Sequence, residues 1–487
     1  MRLNQQTLAQ LPAGVAKPEY DRKAVVPSIV HLGVGAFHRA HQAMYTDAVL
    51  ASGDLAWGIV GAGIVSSGMK TALAPQDGLY ALAVMGPAGN KVQIIGSILE
   101  VLGGEDDDGI LLEKMCAPTT RIVSLTVTEK GYYLDPATGK LQLQATAIQA
   151  DLANPGAPKT ILGLIVQALR RRKLAGLPPF TVLSCDNLPS NGKLAKAAIV
   201  AFAHEVDASL AIWVAANVSF PCTMVDRITP ATTDADRVNI QSLIGLEDAW
   251  PVVTEDFVQW VIEDNFTMGR PDWTIGGAVF SDEIEAWENM KLRCLNGTHS
   301  TLAYLGQLTG RETVADAMQL PLITDLLDLL WVEIREVLAA PKGVSSADYV
   351  QSLKRRFCNP AIKHRTAQIA MDGSQKLPQR LLSTLRDRIA RGLPSPTLAT
   401  AIAAWMHFAV KTAHTPGAVL NDPLSEQILA KARASVEPEA IVLNMLSLDK
   451  IFGTDLLAHA GFKAELLAGF CNLARNPDVA TATQIAL

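Results

Sequence analysis

Short apolar runs alternate with helix-period segments through the first half of this chain, and then the runs stop. Residues 28–33, 57–60, 121–127 and 180–184 read as buried strands bounded by glycine, proline or polar turns. Residues 38–52 and 159–172 carry apolar side chains at helical spacing between them. Strand, helix, strand in that order requires crossover connections, which are right-handed and lay successive strands parallel in one sheet. Segments 79–85 and 91–98 flank Gly86-Pro87-Ala88-Gly89-Asn90 and predict a hairpin. From about residue 285 only helical patterns remain, at 283–308, 320–339, 346–357, 378–391 and 398–412, with Gly/Pro punctuation between them. The expected fold class is α/β, with a mainly parallel sheet domain over 1–285 and a mostly α-helical C-terminal domain over 286–487. Ligands are expected beyond the carboxyl ends of the strands.

Composition narrows the function. The chain has 487 residues, 49% hydrophobic and 18% charged, which suits two or three well-buried domains and excludes a disordered chain. A net charge of −6 speaks against a general nucleic-acid binder. The one basic cluster, Arg170-Arg171-Arg172-Lys173, ends a helical pattern and reads as a solvated helix terminus. No apolar window approaches the roughly 20 residues that span a bilayer, and the first residues do not resemble a secretion signal. Six scattered cysteines show no metal-ligand spacing, which predicts reduced thiols in the cytoplasm and no metal site. The expected partner is a small molecule rather than nucleic acid or membrane, and a monomer is compatible with the sequence.

The first strand runs into Gly33-Val34-Gly35-Ala36-Phe37-His38-Arg39 and a helix start. Free N–H groups and a partial positive charge make such a place attractive to an anion. Gly33 permits the tight turn, and Gly35 lets the backbone approach a pyrophosphate. His38 stands where the usual third glycine would be. Two glycines also serve ordinary strand-to-helix turns, so the motif alone leaves both uses open. After the second strand, residues 61–70 contain no acid to grip an adenosine ribose, whereas Ser66, Ser67 and Lys70 would tolerate a ribose phosphate.

A second informative segment is Lys291-Leu292-Arg293-Cys294-Leu295-Asn296-Gly297-Thr298-His299. On an α-helix turning about 100° per residue, Lys291, Asn296 and His299 fall within an arc of about 140°. A lysine, an amide and an imidazole then face one cavity; the same spacing also suits a solvated lysine and a core histidine. Ser184-Cys185-Asp186-Asn187, at the end of a strand, is either a plain Asx turn or part of a site.

Several long segments, in the same order, resemble the long-chain polyol-specific dehydrogenases, the mannitol dehydrogenase and fructuronate reductase family. They are Ile29-Val30-His31-Leu32-Gly33-Val34-Gly35-Ala36-Phe37-His38-Arg39, Ser124-Leu125-Thr126-Val127-Thr128-Glu129-Lys130-Gly131-Tyr132, Ser184-Cys185-Asp186-Asn187, Phe220-Pro221-Cys222-Thr223-Met224-Val225-Asp226-Arg227, Trp260-Val261-Ile262-Glu263-Asp264-Asn265-Phe266, and 291–299. The resemblance implies a Rossmann-type N-terminal domain, a helical C-terminal domain, and NAD(P)-linked oxidation or reduction of a linear sugar acid or polyol without a metal. It places the catalytic lysine on Lys291, the oxyanion-binding carboxamides on Asn187 and Asn296, the substrate-contacting histidine on His299 and the proton-relaying acid on Glu129. Gly33, Gly35, Phe37, His38, Arg39, Ser66 and Asp226 fall to the cofactor pocket. NAD is the cofactor implied, with NADP left open by the missing acid after the second strand.

For the chemistry, Lys291 must be neutral to accept a hydroxyl proton, so its pKa has to fall from about 10.4. Two carboxamides then stabilise the developing alkoxide without adding formal charge. Residues 364–381 resemble fructuronate reductases more than mannitol dehydrogenases. A sugar acid needs a cation for its carboxylate, for which Lys376, Arg365 and Arg380 are the candidates. The resemblance thus implies fructuronate reduction to mannonate, with mannitol or related polyol oxidation as the alternative. A non-catalytic sugar or nucleotide sensor on the same scaffold would have no need of the lysine.

Overall fold

The first strand, β1 (Pro27–Leu32), is buried on both faces because its side chains alternate between two cores. Val30 and Leu32 join one core, and Ile29 joins the other. The computed structural model describes residues 1–64, 66–86, 89–104, 107–135 and 138–479. These divide into two compact units, Met1–Glu285 and Ala286–Leu487.

In the first unit, β1 lies at the centre of a five-stranded parallel sheet. Its other members are β2 (Gly58–Gly63), β5 (Ile98–Gly103), β6 (Ile122–Leu125) and β7 (Thr181–Ser184), ordered β5-β2-β1-β6-β7. Counting only these strands along the chain, the order is 3-2-1-4-5, so the direction of winding switches between β1 and β6. This is a Rossmann-type sheet. One face is covered by helices Ile161–Leu174 and Asn191–Val206, through Leu162, Ile165, Ile199 and Phe202. Fully burying a side chain such as Ile165 contributes about 1.5–3 kcal/mol. The other face carries Tyr45, Trp57, Trp260 and Trp273.

The expected hairpin forms as β3 (Tyr80–Gly86) and β4 (Gly89–Ile95), although Pro87 and Ala88 of its turn lie outside the described residues. Ile98 leaves the hairpin and begins β5 instead. The cause is local: Gly96 N–H donates to Asp47 and the Ser97 hydroxyl to the Ala43 carbonyl, which pins the chain to helix Gln42–Ala51. Two small sheets complete the unit. In one, β9 (Val252–Glu255) runs parallel to β3; in the other, β10 (Gln259–Ile262) lies between β8 (Thr223–Asp226) and β11 (Val279–Phe280).

Arg172 corrects the reading of the basic cluster. It is fully buried and donates to the carbonyls of Met115, Ala117 and Pro178, so it ties together three chain segments rather than ending a solvated helix.

The second unit is helical throughout its described residues. Helix Pro396–His414 runs through its core, with Ile402, Trp405, Met406 and Ala409 buried. It packs on Thr298–Leu308 and on Ala460–Arg475, where His407 stacks on Phe470.

Candidate active site

At the end of β1, Gly33 turns the chain with φ +99°, a left-handed conformation that glycine adopts freely. Space also forbids a side chain there, since a Cβ would lie 2.2 Å from the Thr126 carbonyl oxygen. Gly35 differs. It is exposed at φ −82°, and a Cβ would meet nothing nearer than 3.8 Å, so its backbone is open to close approach. His31 braces the turn from beneath. Its Nδ1 lies 2.8 Å from Ser124 Oγ and its Nε2 3.2 Å from the Gly33 carbonyl, to which Thr126 Oγ1 also donates at 2.7 Å. Burial pushes the His31 pKa down to about 3, so the ring is neutral and offers one N–H donor and one acceptor.

The helix after this turn is shorter than the expected 38–52. It spans Ala36–Ala40 and breaks at His41, whose Nε2 meets the Gln259 carbonyl, before Gln42–Ala51 continues. With so short a helix the dipole contributes little, and the N–H groups of the turn carry the anion-binding potential. Phe37 is half-buried and stacks on His41. His38 is buried against His31. Arg39 is a correction. Its guanidinium is fully buried, donates to the Trp250 carbonyl and lies over the Tyr80 ring, so it is an internal strut and not a phosphate ligand.

Asp186, just past β7, ties the end of that strand to the chain that follows β6. One carboxylate oxygen accepts from the N–H groups of Val127 and Thr128 at 2.8 Å, and the other from Tyr132 Oη at 2.7 Å. This clamp holds Thr128 at φ +63°, a strained value for a β-branched residue, and Glu129 follows it, exposed. Asn191 donates to the carbonyls of Asp186 and Thr223, which fixes the backbone on which exposed Asn187 sits. Asp226 ends β8 and is buried. Sequence marks Asp186 only as part of a polar strand end and gives no sign of its bond to Tyr132, because the partners lie more than 50 positions apart.

Beyond the ends of β2 and β5 lies a cavity of about 220 Å³, lined in part by Gly63, Ile64, Gly103, Gly104, Asp107 and Asp108. Ser66, just past β2, is exposed. Lys70, expected to be available for a phosphate, is instead paired with Asp107 at 2.7 Å.

In the second unit, the expected single helix 283–308 is three pieces. Ile284–Met290 is α-helical, Lys291–Gly297 is a π-helix, and Thr298–Leu308 is α-helical again. An i→i+5 ladder brings residues five apart onto one face, so Lys291 and Asn296 line up more closely than an α-helical arc allows. The widened turn exposes the Cys294 carbonyl, which accepts from Thr298 Oγ1 and Trp331 Nε1. Lys291 is 8%, Asn296 9% and His299 6% exposed. A second π-helix, Pro378–Leu382, begins at a proline that cannot donate to the ladder. It packs against the first at Gly297, where a Cβ would lie 2.8 Å from the Arg380 carbonyl.

His299 gathers the charged groups of this unit. Its ring packs on Phe357 at 4.7 Å and meets His364 edge-on at 5.2 Å. Burial first, then the charges of His364, Arg356, Arg380 and Lys291, hold its pKa well below the ordinary range. It is therefore neutral, and its Nε2 has no partner among the described residues. Arg380 donates to the Asn296 carbonyl and to Ser300 Oγ at 3.1 Å, while its Nε has no partner among the described residues. Lys376 donates to the Ile369 and Met371 carbonyls and acts electrostatically on His364. Arg365 does not join them; it is exposed, with its backbone bridged to Thr313. Nothing in the sequence singles out Arg356, because helix Ser346–Phe357 reads as an ordinary amphipathic helix with a basic end.

Comparison with known proteins gives this geometry a context. The family model of the mannitol dehydrogenase Rossmann domain matches residues 27–275, and that of the mannitol dehydrogenase C-terminal domain matches 283–473. The chain belongs to the mannitol dehydrogenase family. It is 44% identical over 466 residues to D-mannonate oxidoreductase of Escherichia coli, covering 94% of this chain and 96% of that one. It is 43% identical over 466 residues to mannitol 2-dehydrogenase of Cereibacter sphaeroides, covering 93% and 96%. Among solved structures, the Pseudomonas fluorescens mannitol 2-dehydrogenase ternary complex with NAD and D-mannitol is 39% identical, with a TM-score of 0.86 and 99% of each chain covered. The protein is thus an oxidoreductase of the mannitol dehydrogenase family, acting on a polyol or sugar acid. A dinucleotide fits what the first unit offers: a glycine turn that excludes side chains, an open Gly35 backbone, and a cavity beyond the neighbouring strands. No helix among the described residues is long and apolar enough to cross a membrane.

Proposed function

We propose that the protein interconverts a linear sugar acid and its keto form, with NAD as hydride carrier and D-mannonate and D-fructuronate as the pair. The observation that carries this reading is Arg380. Its guanidinium is largely buried beside Asn296 and His299 and keeps a donor free. A neutral polyol offers such a group only hydroxyl acceptors, whereas a carboxylate engages it through a stronger charge-assisted pair. Lys376 and Arg356 add positive charge around His364 and His299. The relative named D-mannonate oxidoreductase supports the choice.

When bound, the nicotinamide ring supplies the hydride acceptor. Lys291 Nζ takes the hydroxyl proton and returns it in the reverse direction. The role requires a neutral amine, and the Lys291 side chain is buried. The carboxamide of Asn296 donates an N–H group to the substrate oxygen as charge builds on it; such a donor lowers the barrier by about 3 kcal/mol. Neutral His299 orients the same hydroxyl through Nε2. In the first unit, Gly33 and Gly35 bind the pyrophosphate, with Ser66 and Asp226 bordering the cofactor. NAD is favoured over NADP because Lys70 is already engaged by Asp107.

Mannitol 2-dehydrogenase activity is the second reading, since relatives of that name are nearly as similar in sequence. Turnover of fructuronate and fructose with NADH and NADPH, measured side by side, decides between them. Greater efficiency on fructuronate is expected, and equal or greater efficiency on fructose overturns the sugar-acid assignment.

A further inference from the structure

Residues 61–70 after β2 contain no carboxylate, although the carboxyl end of the second strand is where a Rossmann sheet contacts the adenosine ribose. The structure supplies a carboxylate there from a different strand. Asp107 follows β5, the neighbour of β2, and its side chain is only 7% exposed. Both its oxygens lie within 2.8 Å of Lys70 Nζ, and one also accepts the Gly103 N–H at 2.8 Å. The chain just past β5 packs closely on the chain just past β2. A Cβ on Gly103 would lie 3.2 Å from the Ser66 carbonyl, and one on Gly104 3.5 Å from Ser67 Cβ. Asp107 lines the cavity beyond β2 and β5 together with Gly63, Ile64 and Asp108. Lys70 is the sole cation on the helix that follows β2, Gly68–Leu73, and so the natural partner for a phosphate at that strand end. The lysine and the Gly103 N–H hold the Asp107 carboxyl below the ordinary carboxylate range, which keeps it ionised and the lysine neutralised.

We propose that the Asp107–Lys70 pair sets cofactor preference, with Asp107 sequestering the one cation that would welcome a ribose 2′-phosphate and so selecting NAD over NADP. The inference rests on the dinucleotide reading of the first unit. It adds a specificity device that links the ends of two adjacent strands in place of an acid on β2's own loop.

The test is binding. Dissociation constants for NADH and NADPH are read by fluorescence titration, and those for 5′-AMP and adenosine 2′,5′-bisphosphate by calorimetry. Asp107→Asn keeps the acceptor for the Gly103 N–H and loses the charge. It should therefore shift the NADPH-to-NADH affinity ratio toward NADPH by about tenfold, the scale of one unpaired charge facing a phosphate. Lys70→Met in the same background should remove that shift. Lys70→Met alone leaves an unpaired carboxylate and should move the ratio the other way, so the proposal stays testable if Asp107→Asn does not fold. An unchanged ratio in the folded variants, or a wild type that prefers NADPH, overturns the proposal while the dinucleotide reading stands. A wild type that binds neither dinucleotide overturns both.

Discussion

The imidazoles of His31 and His38 stack face to face, 3.4 Å between centroids and 11° from parallel, directly beneath the glycine turn. Two imidazolium rings in that position would repel strongly, so the stack requires neutral rings. Burial holds His31 at about 3 and His38 well below 6.5. When unfolded, both return to about 6.5 and bind protons more readily than the folded state. Their contribution to stability is therefore complete above pH 6.5 and lost as pH falls toward 3. Each should add about 1.4 kcal/mol per pH unit to the slope of stability between those limits. Urea unfolding from pH 7.5 to 5 should show this slope, and His31→Gln should flatten it; an unaltered slope would mean that the folded protein already carries the proton.

The two glycines of the turn should separate folding from binding. Gly33→Ala forces a Cβ to within 2.2 Å of a carbonyl at φ +99° and should cost at least about 2 kcal/mol, a fall of roughly 4–8 °C in Tm. Gly35→Ala fits its backbone and meets only open space. Its Tm should stay at the wild-type value while dinucleotide affinity drops about tenfold or more, because the lost quantity is closeness of approach. Calorimetric melting together with NADH titration measures both.

Lys291→Ala should lower kcat by about 100- to 10,000-fold, the span expected for a proton acceptor. NADH binding should persist, since the glycine turn belongs to the other unit. Retention of full turnover by this variant would remove Lys291 from the chemistry.

Arg380→Met should raise KM for a sugar acid by about 100-fold, the cost of leaving a carboxylate without its buried cation. Turnover of a hexitol by the same variant controls for the lost bonds to Asn296 and Ser300. Equal losses on both substrates would reduce Arg380 to a scaffold residue.

Much of the first unit is written in local pattern. The runs around Ile29, Ile122 and Val182 are short, apolar and flanked by turns, and each became a strand of the parallel sheet. Ser346–Phe357 formed over the expected residues because its amphipathic period is uninterrupted. What escaped prediction depends on remote partners. The break at His41 answers to Gln259, the burial of Arg39 to Trp250, and the neutralisation of Lys70 to Asp107. Among the site residues, Gly33 announces its conformational need, whereas the cations around His299 converge from helices that sequence shows only as separate basic patches. The π-helical turn at Lys291 has no local signature, so spacing arguments built on α-helical geometry set Lys291 and Asn296 farther apart around the axis than the wider turn does.

That wide turn makes the chain's numbering itself functional. A π turn holds one more residue than the α turn it replaces. Deleting a single residue between Lys291 and Asn296 would let an ordinary helix close with the two side chains four apart, about 40° from each other on one face. The lysine and the carboxamide would stay aligned after such a loss, whereas forcing the full-length segment into α-helical geometry would set them about 140° apart and leave a folded but disarmed protein.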